Sequence, residues 1–161
     1  MKIKKLIEED FVNYKKPSMV LGFPHCTFKC DKECGQCVCQ NSALAKAPVI
    51  EVDRKEIIKR YLNNPLTSAV VLQGLEPLDD YEQLTNFIQD FREKTNDDIV
   101  VYTGYKKEES VCQEFGRWLK NHNIHNIAIK FGRFIPNSKS RFDEVLGVTL
   151  ASDNQMAVYI G

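Results

Sequence analysis

Ala69-Val70-Val71-Leu72-Gln73-Gly74-Leu75-Glu76-Pro77 reads as a short apolar strand that runs directly into a glycine turn. Four consecutive apolar residues ended by Gly and Pro suit a strand buried on both faces, the kind found in parallel sheets. The same pattern recurs on either side. Met19 to Phe23 (MVLGF) is a first strand, Ile99 to Tyr102 a third, closed by Thr103-Gly104, and Ile127 to Phe131 a fourth. Helical patterns alternate with them. Asp53 with Glu56 three residues later has the form of a capping box, and Ile57, Ile58, Tyr61 and Leu62 follow on one helical face until Asn63-Asn64-Pro65 stops it. Tyr81, Leu84, Phe87, Ile88 and Phe91 repeat at helical spacing, which predicts a helix over Asp79–Lys94 with its aromatics in the core. Val111, Phe115, Trp118 and Leu119 mark another helix, with Lys106, Lys107, Glu108 and Glu109 as its exposed start.

Strand and helix in alternation predict an α/β fold with a mostly parallel sheet. In such sheets ligands sit beyond the carboxyl ends of the strands. The Gly-Leu-Glu-Pro turn and the Thr-Gly-Tyr turn each follow a strand, and so does a loop dense in cysteine. Five of the six cysteines fall between residues 26 and 39, in HCTFKCDKECGQCVCQN: Cys26, Cys30, Cys34, Cys37 and Cys39. Thiolates at that density need a positive centre or a disulfide pattern. Residues 1–17 are expected as an N-terminal extension and residues 132–161 as an irregular C-terminal segment of a single domain.

Composition narrows the chemistry. The chain has 161 residues, 43% of them hydrophobic and 27% charged, with 22 basic against 22 acidic side chains. That is ordinary globular composition for one domain. A formal charge of zero gives no general signal for nucleic acid or membrane partners. The N-terminus lacks an apolar signal core and no apolar run reaches spanning length, so a cytoplasmic location is expected. A cytosolic chain of this size needs no disulfide staples. That leaves an iron–sulfur cluster or a structural zinc, since soft thiolates suit both metals. Structural zinc commonly uses two ligand pairs well separated in sequence, and here Cys112 stands alone in a helix, where it reads as a core residue. His25 beside the cysteines reads as loop surface.

Cys-x3-Cys with a nearby third cysteine after strand one, and Gly74-Leu75-Glu76-Pro77 after strand two, resemble the radical S-adenosylmethionine superfamily. Val101-Tyr102-Thr103-Gly104-Tyr105, then Gly132-Arg133-Phe134 and Ala151-Ser152-Asp153-Asn154-Gln155, resemble segments of the anaerobic ribonucleoside-triphosphate reductase activating proteins in the same order. The resemblance covers most of the chain from about Ser18 onward. It implies a partial (β/α) barrel in which three cysteines hold a 4Fe–4S cluster with one open iron, and that iron chelates S-adenosylmethionine. The turn after strand two would meet the methionine amino group. By this resemblance Gly74, Glu76, Pro77, Tyr102, Thr103, Gly104 and Asn154 are the cofactor-binding residues. Tyr102 as strand core, Tyr105 as a packing aromatic, and Glu76 and Asn154 as plain loop and turn residues are the structural alternatives. The implied activity is reductive cleavage to a 5′-deoxyadenosyl radical that takes hydrogen from a glycine of the anaerobic ribonucleotide reductase large subunit, with a flavodoxin-like electron donor.

The chain departs from that family in three places. Leu75 replaces the second glycine of a Gly-Gly-Glu-Pro turn. Lys130 stands where the family tends to carry an aspartate. The cysteine spacing fits two registers: Cys30, Cys34 and Cys37 match Cys-x3-Cys-x2-Cys in number, whereas Cys26, Cys30 and Cys39 match it in context. Cys26 directly follows the strand, and Cys39-Gln40-Asn41 matches the Cys-x-Asn after the last ligand. We favour the second register, with about six residues around Asp31–Gln36 looped out and Cys34 and Cys37 left as spare thiols. Two other readings stay open: a radical enzyme of the superfamily acting on a small molecule, and a non-catalytic zinc or iron–sulfur module.

Overall fold

The computed structural model describes all 161 residues. In chain order the elements are β1 (Lys2–Ile3), β2 (Lys5–Asp10), β3 (Ser18–Phe23), α1 (Lys29–Cys34), α2 (Ser42–Lys46), β4 (Ile50–Glu51), α3 (Arg54–Asn63), β5 (Ala69–Gly74), a 3-10 turn (Pro77–Asp80), α4 (Tyr81–Arg92), β6 (Asp98–Tyr102), α5 (Ser110–Asn121), β7 (Ile127–Phe131), β8 (Arg141–Asp143), β9 (Val148–Leu150) and β10 (Met156–Ile160).

Strands β3, β5, β6 and β7 form the parallel centre of a six-stranded sheet in the order β10-β7-β6-β5-β3-β2. All six residues of β3 and all five of β7 are buried, as a strand covered on both faces requires. The outer strands β2 and β10 run antiparallel to their neighbours and pair on one side only. The sheet is therefore open, and no barrel is closed.

The two faces are covered differently. Helices α3, α4 and α5 pack on one face, where Ile57, Tyr61, Leu84, Phe87, Phe91, Phe115 and Leu119 join the inward residues of the strands. Tyr61 and Phe91 meet edge to face at 4.8 Å. On the opposite face there is no helix. Tyr14, from the connection between β2 and β3, and Leu146 and Leu150, from the β8–β9 hairpin, cover Val20, Val71, Val100 and Ala128.

Several expectations change. Residues 1–17 are not a mere extension: the charged run Lys5–Asp10 is an edge strand, where charged side chains are tolerated and discourage further pairing. Residues 132–161 are not irregular throughout. They form the β8–β9 hairpin and then β10, whose register runs from Met156↔Phe131 to Ile160↔Ile127. Leu62 is 48% exposed, because the helix turns it away from the side that Ile57, Ile58 and Tyr61 bury. Asp53 does cap α3, accepting from the Lys55 N–H at 3.0 Å, but Glu56 pairs forward with Arg60 instead of closing a box. The helix expected from Asp79 begins as a 3-10 turn and becomes α-helical at Tyr81. Cys112 sits in the core, its thiol pushed up to about 12 by burial.

Candidate metal centre

The carboxyl ends of β3, β5, β6 and β7 open onto a cavity of about 430 Å³. Its position follows from the parallel topology, which sends every βα turn to the same edge. Cys26, Cys30 and Cys39 line it; Cys34 and Cys37 do not, and both are exposed. Gly74, Glu76, Tyr102, Thr103 and Gly104 also line it. Pro77 is buried behind the turn, and Asn154 stands outside the lining, where its Nδ2 donates to the Arg133 carbonyl at 2.9 Å. Its neighbour Gln155 does face the cavity, as do Lys130 and Arg133.

The cysteine loop is built by short-range hydrogen bonds rather than by a hydrophobic core. Phe28 takes a left-handed conformation (φ 53°), and α1 starts immediately after it, carrying Cys30 in its first turn and Cys34 at its end. Gly35, also left-handed, stops the helix. The Asp31 carboxylate then gathers the returning strand, accepting from the N–H groups of Val38 and Cys39 at 2.8 Å each. Asn41 completes the return by donating to the Gly74 carbonyl at 2.7 Å. Cys34 and Cys37 are thus carried at the tip of an excursion while Cys39 is drawn back to the sheet.

The Gly-Leu-Glu-Pro turn is stitched into the same loop. Leu75 N–H donates to the Phe23 carbonyl at 3.2 Å, and Glu76 N–H to the His25 carbonyl at 2.8 Å. These bonds carry the β3–β5 ladder past its last residues. Gly74 has φ 113°, and a Cβ there would stand 2.6 Å from the Phe23 nitrogen. Only glycine lets the two chains approach so closely. Leu75, by contrast, has no positive φ, so its side chain costs the backbone nothing.

Glu76 is 5% exposed. Its carboxylate accepts from the Leu78 N–H at 3.1 Å and from the Gly104 N–H at 2.8 Å, which ties the second turn to the third. Burial raises this carboxyl to about 7, although both N–H groups favour its charged form. Asp79 links the cysteine loop to the third turn as well: it accepts from the Thr27 N–H at 2.8 Å and from the Tyr105 hydroxyl. Tyr102 reaches from the end of β6 to donate to the Asn13 carbonyl at 2.6 Å.

Two cations were not identified as site residues from the sequence. Arg133 is buried and forms a bidentate pair with Glu109 at 2.8 and 2.9 Å, which holds that carboxyl down at about 2. Glu109 is therefore not a free surface charge at the start of α5. Lys29 of α1 also approaches Glu109, at 3.7 Å, and lies over the Tyr105 ring at 4.1 Å. The second cation, Lys130, is buried at the end of β7, donates to the Gly132 carbonyl at 2.9 Å, and is lowered by burial to about 8. A lysine inside the run Ile127–Phe131 was the available signal, since a buried strand rarely carries one without a purpose.

In the free chain Cys26 and Cys30 are poor nucleophiles. Burial pushes Cys26 up to about 11 and raises Cys30 too, while Arg133 draws Cys30 back toward its thiolate. Such thiols ionise when a metal takes the proton's place. No three Cys, His, Asp or Glu side chains converge on one point as a single ion would need. Thiols spread round a cavity suit a polynuclear cluster, in which different thiolates hold different irons.

A mostly parallel α/β sheet with thiols around a cavity at its carboxyl edge defines a metal-binding domain of the iron–sulfur class. The chain belongs to the 4Fe-4S single cluster domain family, whose model matches residues 19–156. It is an iron–sulfur protein whose 4Fe-4S cluster domain takes in the four parallel strands of the sheet. No curated protein and no solved structure matches the chain. No helix is long and apolar enough to cross a membrane.

Proposed function

We propose that this iron–sulfur protein is a radical S-adenosylmethionine activase that places a glycyl radical on the anaerobic ribonucleotide reductase. What supports the reading is one juxtaposition: Cys26, Cys30 and Cys39 share a cavity with the Gly74–Glu76 turn and the Tyr102–Gly104 turn. An electron-transfer protein needs a cluster and insulation. It has no need of a half-open cavity with a buried carboxylate beside the metal.

Cys26, Cys30 and Cys39 would hold the cluster, leaving the coordination position that a fourth thiolate would close. When bound, the reduced cluster and S-adenosylmethionine supply the radical chemistry, one electron to the sulfonium and an adenosyl carbon able to take hydrogen from a glycine. The chain's own residues position and shield. Gly74 allows the turn to lie against β3, and Glu76, fixed by Gly104 N–H, presents an acceptor toward the ligand's ammonium. Arg133 beside Cys30 offsets thiolate charge. A cavity of about 430 Å³ fits a nucleoside-sized ligand, but not a nucleotide reductase substrate as well. A macromolecular substrate docking over the open edge suits that size, and a flavodoxin-like donor would supply the electron.

The test is anaerobic reconstitution followed by reduction. The expected result is release of 5′-deoxyadenosine from S-adenosylmethionine and a glycyl radical signal on the added reductase. A protein with a full cluster that releases no 5′-deoxyadenosine, with or without the reductase, is at best an electron carrier. Release without a radical on the reductase would point to a different substrate.

A further inference from the structure

Glu76 and Lys130 face the same cavity, yet they are not paired with each other. Both line it, and they are 5% and 7% exposed. None of the molecule's ion pairs includes either residue. Neither is held by a charged group: Glu76 has the N–H groups of Leu78 and Gly104 and the Thr103 side chain, and Lys130 has the Gly132 carbonyl. An ammonium has three protons to donate, and only one of Lys130's finds an acceptor. The Tyr102 ring lies 5.9 Å from it. The remaining cations of the cavity are engaged or solvated. Arg133 gives both terminal nitrogens to Glu109 and has Glu33 3.3 Å from its Nε, which makes no hydrogen bond; Lys29 rests on Tyr105 and Glu109, and Lys5 is exposed. Glu76 and Cys30 favour the Lys130 charge only from beyond ion-pair distance, and a buried charge without a counter-charge in contact is expensive. Lys130 is therefore the buried cation of the cavity that no carboxylate of the chain holds in an ion pair.

We propose that Lys130 receives the carboxylate of an α-amino-acid head group whose ammonium lies toward the Glu76 turn. The assignment rests on the S-adenosylmethionine reading above, in which that head group is the methionine end of the cofactor. A zwitterion supplies both missing partners at once: an anion for the lysine and a cation for the glutamate. A purely anionic or purely cationic occupant would leave one of the two unmatched. Charge-assisted hydrogen bonds of this kind are roughly twice as strong as neutral ones. Lys130 is then the residue that distinguishes nucleosides with the amino-acid tail from those without it.

The probes are S-adenosylhomocysteine, which carries the head group, and 5′-methylthioadenosine, which lacks it. Their affinities are measured on anaerobically reconstituted wild type, Lys130→Met and Lys130→Arg, each with its cluster content verified by visible absorbance. Lys130→Met is expected to weaken S-adenosylhomocysteine by about ten- to a hundredfold and to leave methylthioadenosine unchanged, with Lys130→Arg recovering most of the loss. Equal affinity of wild type and Lys130→Met for S-adenosylhomocysteine overturns the assignment and leaves the cofactor reading standing. Parallel weakening of both probes also overturns it, since the lysine would then only shape the cavity. If wild type binds neither probe, the cofactor reading fails and the assignment falls with it. Should Lys130→Met not fold, wild type still decides: methylthioadenosine binding as tightly as S-adenosylhomocysteine means there is no head-group site.

Discussion

The two ends of the central sheet each bury a carboxylate, and they treat it in opposite ways. At the amino end Asp98 is surrounded by side chains of its own protein. Lys16 stands 2.6 Å away, and the hydroxyls of Tyr14 and Tyr159 donate at 2.8 and 3.2 Å. Burial works against its charge, but Lys16 and the tyrosines prevail and hold it below the usual carboxylate range. At the carboxyl end Glu76 has two main-chain N–H groups and no cation, and burial lifts it to about 7. A satisfied buried charge is part of the scaffold. An unsatisfied one marks the place where the scaffold leaves room for something else. The amino end therefore closes the fold, and the carboxyl end is kept incomplete for a ligand.

That contrast is tested most severely by the cysteines. Cys26→Ala should lose the cluster altogether, because Cys26 lines the cavity and Cys37 does not. Cys37→Ala should retain it in full, since that thiol is exposed at the tip of the excursion. Iron and sulfide per chain after anaerobic reconstitution measure both. The reverse pattern would move the cluster out of the cavity and into the Cys30, Cys34, Cys37 register.

A smaller effect follows from Glu76 itself. Its carboxyl rises from the ordinary 4.5 to about 7 on folding, so the folded chain keeps the proton to higher pH than the unfolded chain does. Its contribution is complete below pH 4.5 and is lost as pH rises through about 7, on the order of 3 kcal/mol in all. Glu76→Gln cannot titrate. It gives up an acceptor for one of the two N–H groups, a roughly constant cost, but over this range its stability should gain on wild type by that amount. Urea unfolding of the metal-free proteins at a series of pH values reads the difference. A constant gap would mean that Glu76 is an ordinary solvated carboxylate and that the two ends are alike.

How much of this was legible in the sequence depended on whether the signal was local. The four parallel strands were visible as apolar runs, because burial on both faces removes any need for polar alternation. Gly74 and Glu76 were visible as a turn. The edge strands were not: β2 is charged at four of its six residues, and β10 exposes Met156 and Tyr159, so neither stands out from a loop until its partner is known. Lys130 could be seen as a lysine inside an apolar run and as a departure from a resembling family, but not as a site residue. Its meaning depends on three elements far apart in sequence, β7, the Glu76 turn and Tyr102, meeting at one cavity. Asn41 was noticed as part of a motif, but its physical task, tying the cysteine loop to the Gly74 carbonyl, required the fold.

The least dramatic change is the cleanest control for the comparison. Asp98→Asn removes the charge that Lys16 faces and weakens the acceptor that Tyr14 uses, with Tyr14 itself buried. Breaking one partner of a buried hydrogen bond to a charged group costs about 2 kcal/mol, which for a chain of this size lowers the melting temperature by about 4–8 °C. Cluster content and probe affinities should not move, because none of the residues concerned lines the cavity. A variant that melts early yet reconstitutes and binds like wild type would place the sheet's stability and its chemistry at opposite ends. If instead Asp98→Asn lost cluster in proportion to its lost stability, the amino end would be holding the cysteine loop in shape through the strands. The division of labour between the two carboxylates would then be wrong.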